Sequence, residues 1–157
     1  MNATQWLLGF HLVGAFLFVS GAVAVGLLHS AAVRRERPSE IAFLLGLTRV
    51  AVVAVGVGAL AALAFGASLV HRGGFDWGDA WIAASLALWI ASAVLGGIGG
   101  RSARHARYLA ERLTTEGDRP SEELRRALTS PSAQALNYAS FLAALAILAL
   151  MVWKPGA

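Results

Sequence analysis

The chain has 157 residues, of which 57% are hydrophobic and 14% charged, with no cysteine and a formal net charge of +4. A soluble domain usually carries about 25% charged residues, so the solvent of this chain is partly lipid. The length allows one domain, residues 1–157. The lack of cysteine excludes iron–sulfur clusters, thiolate nucleophiles and disulfide scaffolds. The basic residues flank apolar stretches, which argues against nucleic acid as a partner and for the bilayer.

A helix needs about 20 apolar residues to cross the hydrocarbon core. Four segments meet that length, at about 6–28, 50–70, 80–100 and 135–153. They predict an all-α integral membrane protein, an antiparallel four-helix bundle. The first segment, which interrupts its apolar run only with His11 and Ser20, is too long for a signal-peptide core, and no basic residue precedes it. The first connection carries Arg34, Arg35 and Arg37, with Arg49 just beyond. The third carries Arg101, Arg104, Arg107, Arg112, Arg119, Arg125 and Arg126. Only Arg72 and Lys154 are left for the other side. The positive-inside rule therefore predicts that both termini lie outside and both basic connections lie in the cytoplasm. Trp6, Trp77, Trp81 and Trp153 all fall at the predicted outer boundary, where an indole keeps its ring in lipid and its N–H in water.

The connection 101–134 has structure of its own. The third helix is expected to run on past Tyr108, with Arg107 and Glu111 paired at i,i+4. Gly117 and Asp118 read as a turn. A second short helix should follow to Leu128, with Ser121 as its N-cap, and Ser130-Pro131 should end it. The basic residues here read either as retention charge on a solvated face or as a surface for a partner or anionic lipid.

Arg37-Pro38-Ser39-Glu40 recurs as Arg119-Pro120-Ser121-Glu122, each copy ahead of an even-numbered span. The run 17–23 resembles the run 88–94, and Gly26 and Gly97 keep the same offset. These matches suggest two repeated helical hairpins, although apolar helices also resemble one another by composition alone. The proposed register places Ile82 where span one has His11.

Lipid is as apolar as leucine, so spans associate through small residues that let backbones approach. Ala54, Gly58, Ala62 and Gly66 form one such stripe, and Ser92, Gly96 and Gly100 another. In span one, Ala15, Ala22 and Gly26 lie near the face of His11.

Ionisable groups at membrane depth are costly and are functional candidates by default. His11 lies about 7–8 Å below Trp6 and faces the small-residue side. A neutral imidazole there can ligate haem iron, copper or zinc, or can hydrogen-bond a neighbouring helix. His71, Asp76 and Asp79 share the short outer loop and with His11 could form a nitrogen-and-oxygen metal site, or simply a wet turn. His29 is about 27 Å from His11 along the helix and falls in a basic-side layer with Arg49, Asn137 and Tyr138. Arg49 can pair with Glu36 or Glu40, bind a lipid phosphate, or snorkel to the interface. There is no phosphate-binding glycine loop, no G-x-S-x-G elbow, no HExxH and no pair of intramembrane carboxylates.

The run from Leu8 through His11 to Ala15, with Gly21 ten residues after the histidine, resembles small bacterial membrane proteins of the HemJ and CopD type. It is most similar to a related family of predicted integral membrane proteins of unknown function. The ending Met151-Val152-Trp153-Lys154-Pro155, with Asn137 seventeen residues before Lys154, resembles the HemJ ending. The resemblance implies a four-span fold in a bacterial cytoplasmic membrane and haem b or porphyrin binding through His11. Ser85 stands where HemJ proteins have a basic residue, and the second histidine of their third span is missing. The sequence leaves two functions open. One is a haem-, porphyrin- or metal-binding protein with His11 as ligand. The other is a non-catalytic accessory or assembly subunit, working as a homo-oligomer or within a larger membrane complex.

Overall fold

The computed structural model describes residues 2–155, and every regular element among them is helical. The order is α1 (Ala3–Val33), α2 (Pro38–Gly73), α3 (Ala80–Thr115), α4 (Glu122–Leu128) and α5 (Pro131–Trp153). The four long helices α1, α2, α3 and α5 are long and apolar enough to cross a membrane. They pair as two hairpins, α1 along α2 and α3 along α5, and α2 joins the hairpins through a lighter contact with α3. The start of α1 and the end of α5 lie at one end. Phe10 of α1 stacks on Phe65 of α2, and Lys154 sits over Phe75 and Trp81. This is the aromatic end; the opposite end carries most of the arginines.

The α1/α2 seam is a backbone contact. A methyl on Gly14 would lie 2.6 Å from the Ala62 backbone nitrogen, and one on Gly58 would lie 2.7 Å from the Gly14 carbonyl oxygen. On α1 the seam runs through His11, Gly14 and Gly21. It is rotated away from the expected Ala15, Ala22 and Gly26 stripe, and nothing lies within 4 Å of a methyl on Gly26. The α3/α5 seam has the same logic with polar reinforcement. The Ser92 hydroxyl donates to the Ser140 carbonyl at 3.0 Å, and the Ser140 hydroxyl donates back to the Ser92 carbonyl at 2.9 Å. Gly96 faces Ser140, and Gly99 faces Asn137 and Ala133. Gly100, expected on this stripe, meets only Arg104 of its own helix.

The tightest apolar core lies at the basic end, beyond the spans. Ala32, Ile41, Leu45, Ala106, Leu109, Ala110, Leu124 and Leu128 close it from four helices. The predicted short helix is α4, and the Ser121 hydroxyl accepts from the Leu124 backbone N–H at its start. Its C-terminal carbonyls are held from both sides. The His29 imidazole bonds the Leu128 carbonyl at 3.2 Å, and the Ser102 hydroxyl donates to Ala127 at 3.1 Å.

The predicted turn is present, with Gly117 at φ 116° and Asp118 at φ 53°. Asp tolerates that left-handed conformation better than most residues. The turn aims Asp118 across the lobe at the start of α2. The Ser39 backbone N–H and hydroxyl both donate to its carboxylate at 2.7 Å. The residue before the second copy of the Arg-Pro-Ser-Glu tetrapeptide thus caps the helix opened by the first.

Two measurements, melting of glycine variants and melting against pH, test these contacts. Gly58→Ala forces a methyl into the α1 backbone and should cost about 1–3 kcal/mol. Gly56→Ala, with nothing within 4 Å, should be neutral or slightly stabilising; thermal melts in detergent read both. The Ser39 hydrogen bonds, assisted by the charge of Arg37, hold the Asp118 carboxyl below its ordinary range near 3.9. A lowered folded-state value gives stability that is present above the ordinary range and lost as pH falls through the folded value. The melting temperature should therefore drop on acidification below about pH 4. Asp118→Ala should lower it at neutral pH and flatten that drop.

Candidate functional site

The apolar face of α1 carries one buried imidazole. His11 is 9% exposed, and its Nδ1 lies 2.8 Å from the Ala62 carbonyl oxygen. A carbonyl only accepts, so Nδ1 carries the proton and Nε2 keeps its lone pair in the neutral ring. The ring rests on Gly66, where a methyl would come within 3.1 Å of Cε1 and Nδ1. Ala62 and Gly66 are thus a cradle cut to the imidazole, and the sequence stripe that contains them is what seats His11. An N–H···O=C bond of this kind is how proteins orient a ligating histidine, and also how they clamp two helices.

The remaining expected site residues are dispersed. His71 is exposed. The Asp76 carboxylate is taken by the Gly78 backbone N–H at 2.8 Å. Among the described residues, no group of three His, Asp or Glu side chains comes together to hold a metal ion. Arg49 is exposed and joins none of the ion pairs among the described residues; Glu40 pairs instead with Arg35 at 3.7 Å. Asn137 sits against Gly99 in the α3/α5 seam, His29 is engaged by α4, and Tyr138 is exposed. Arg107 and Glu111 form the expected i,i+4 pair at 3.3 Å.

The aromatic end differs from expectation at one residue. Trp6, Trp77 and Trp153 are exposed, as interface anchors are, but Trp81 is only 6% exposed. It packs with Val70, Ile82 and Phe75, meets Phe75 edge to face, and lies under the Lys154 ammonium. Its indole nitrogen and the hydroxyl of Ser85, one turn further along α3, are both buried without a partner among the described residues. Sequence patterning missed this pair and also the Ser92–Ser140 clasp. The signal for the clasp was two serines in otherwise apolar spans, but their partnership depends on the register of α3 against α5.

Four long apolar helices, small-residue seams and a polar lobe at one end define a polytopic integral membrane protein. A family model described as "Predicted integral membrane protein (DUF2269)" matches residues 5–155, and the chain belongs to that family. No curated protein and no solved structure matches it.

His11→Ala removes one interhelical hydrogen bond and leaves a small void, so it should lower stability in detergent by about 1–2 kcal/mol. Ser92→Ala should cost less, about 0.6 kcal/mol, because the Ser140 hydroxyl still reaches the Ser92 carbonyl.

Proposed function

We propose that this protein is a non-catalytic accessory or assembly subunit of a bacterial cytoplasmic membrane complex, with both termini outside and the basic lobe in the cytoplasm. The observation that carries the reading is the lobe. A mere membrane anchor needs no folded core beyond its spans, yet Leu45, Ala106, Leu124 and their neighbours build the tightest core in the chain there. Its surface alternates arginine and glutamate, with Arg112–Glu116 and Arg126–Glu122 paired along exposed helix faces. Such a surface supports recognition by charge pattern. The polar groups of the seams also suit a structural role, since His11, Ser92 and Ser140 each engage a neighbouring helix.

A second reading rests on His11 alone. With Nδ1 bonded to Ala62, the ring offers Nε2 as a single donor. One donor suits an axial haem ligand; a zinc or copper ion would need several ligands, and the other histidines and carboxylates do not gather round it.

One preparation separates the readings. Tagged protein extracted from its native membrane in mild detergent should run as a complex with a second polypeptide, and Arg125→Glu with Arg126→Glu should release that polypeptide. A chain that runs alone, or only with copies of itself, overturns the subunit reading. A Soret band in the same sample, lost in His11→Ala, would establish the haem reading in its place.

A further inference from the structure

We infer that the edge of the lobe binds the phosphate headgroup of an anionic phospholipid between α2 and α3, through Arg49, Arg101 and Arg104. The first observation is depth. Arg49 ends the uncharged run 50–70 of α2, and Arg101 ends the run 80–100 of α3. Each run spans about 30 Å, one hydrocarbon thickness. The two helices also touch on both sides of this level. Val70 packs with Ile82 at the aromatic end, and Leu45 shares the lobe core with Ala106. Arg49 lies one turn from Leu45, and Arg101 just over one turn from Ala106, so the arginines stand at the same height on neighbouring helices. The Arg104 guanidinium folds back over Gly100, which brings its charge to that height as well.

The second observation is orientation and pairing. Arg101 and Arg104 continue the exposed stripe of Ile90, Val94 and Ile98, the stripe that faces lipid, so an acyl chain lying on Val94 and Ile98 ends at their guanidiniums. All three arginines are exposed, and none joins an ion pair among the described residues. The four pairs that do form lie deeper in the lobe, where Arg35, Arg107, Arg112 and Arg126 each have a glutamate. Unneutralised guanidiniums at headgroup depth match phosphate by charge.

An arginine near an anionic membrane surface contributes about 1 kcal/mol, which is about fivefold in affinity. Native mass spectrometry of the detergent-purified full chain, titrated with phosphatidylglycerol or phosphatidylcholine, tests the site. Phosphatidylglycerol should bind at least tenfold more tightly. The triple variant Arg49→Gln, Arg101→Gln, Arg104→Gln should lose about a hundredfold in that affinity, and the triple Lys variant should retain most of it. Arg34→Gln with Arg119→Gln, in the lobe, should change nothing. Should the triple Gln variant not fold, Arg101→Gln and Arg104→Gln singly should each lose about fivefold. Equal binding of the two lipids, or an unchanged preference in the Gln variants, overturns the proposal. So does full competition by millimolar inorganic phosphate, which would make this a site for the free anion.

Discussion

A bilayer removes the force that assembles water-soluble proteins, and the structure depends on what replaces it. Apolar side chains gain nothing by leaving lipid for one another, so helix pairing rests on how closely two backbones can approach. Gly58 against Gly14 and Phe18, with Gly14 against Ala62, is the closest approach along α1 and α2, and neither glycine has room for a methyl. Dispersion between backbones at that distance, together with the His11 bond to Ala62, holds the first hairpin. In the second, Ser92 and Ser140 exchange hydroxyl-to-carbonyl bonds in an otherwise apolar stretch, and Gly96 leaves the space they need. Large side chains such as Phe16, Val53 and Leu142 face outward, which would be a fault in water and is the rule in lipid.

Where the chain leaves the bilayer, the physics changes within one turn of helix. α2 and α3 are each 36 residues long, about 54 Å, so more than a third of each lies beyond the hydrocarbon. There water returns, and apolar burial again drives packing. Leu45, Leu124 and Ala106 are almost wholly enclosed, and ion pairs decorate the outside. Asp118 does the joining. Its carboxylate sits at the positive end of the α2 dipole and accepts two hydrogen bonds from Ser39, supplying the acceptor that α2's own N-cap residue, Arg37, does not. The lobe therefore adds a second tie between hairpins whose spans join only through the lighter α2/α3 contact.

Much of this was legible in the residues. Runs of about 20 uncharged residues, with the arginines gathered toward one end, pointed to four long apolar helices, and the structure has four, because the cost of a charge in hydrocarbon leaves few exceptions. Local grammar located α4, since Ser121, Pro120 and Leu128 act within a few residues of one another. The rotational setting of α1 was less legible. With small residues on more than one side, the stripe of Ala15, Ala22 and Gly26 and the stripe of Gly14 and Gly21 are equally good patterns, and only the partner helix chooses. Trp81 shows the same limit. Its position along the span fits an interface anchor, but Val70, Phe75 and Lys154 enclose it. Contacts across sequence distance, such as Asp118 to Ser39 and His29 to Leu128, leave no periodicity to read.

The register that aligns span one with span three puts His11 and Ile82 at equivalent places, and both turn to α2. His11 lies against Gly66, and Ile82 lies against Val70, one turn along the same helix. α2 is thus the common spine, met on one flank by an imidazole and on the other by an aliphatic side chain. The hairpins can share a plan without sharing chemistry, because the small residue at 66 admits a ring and the larger residue at 70 fills its space with carbon. Polarity at this end is consequently split. On α1 it is satisfied by the Ala62 carbonyl, and on α3 it stays with Trp81 and Ser85, which are buried without partners among the described residues. A chain that places its few polar side chains on opposite flanks of one helix has separated them. The same helix continues into the lobe, where its Ile41 and Leu45 join the core, so one element carries both the contacts of the spans and those of the lobe.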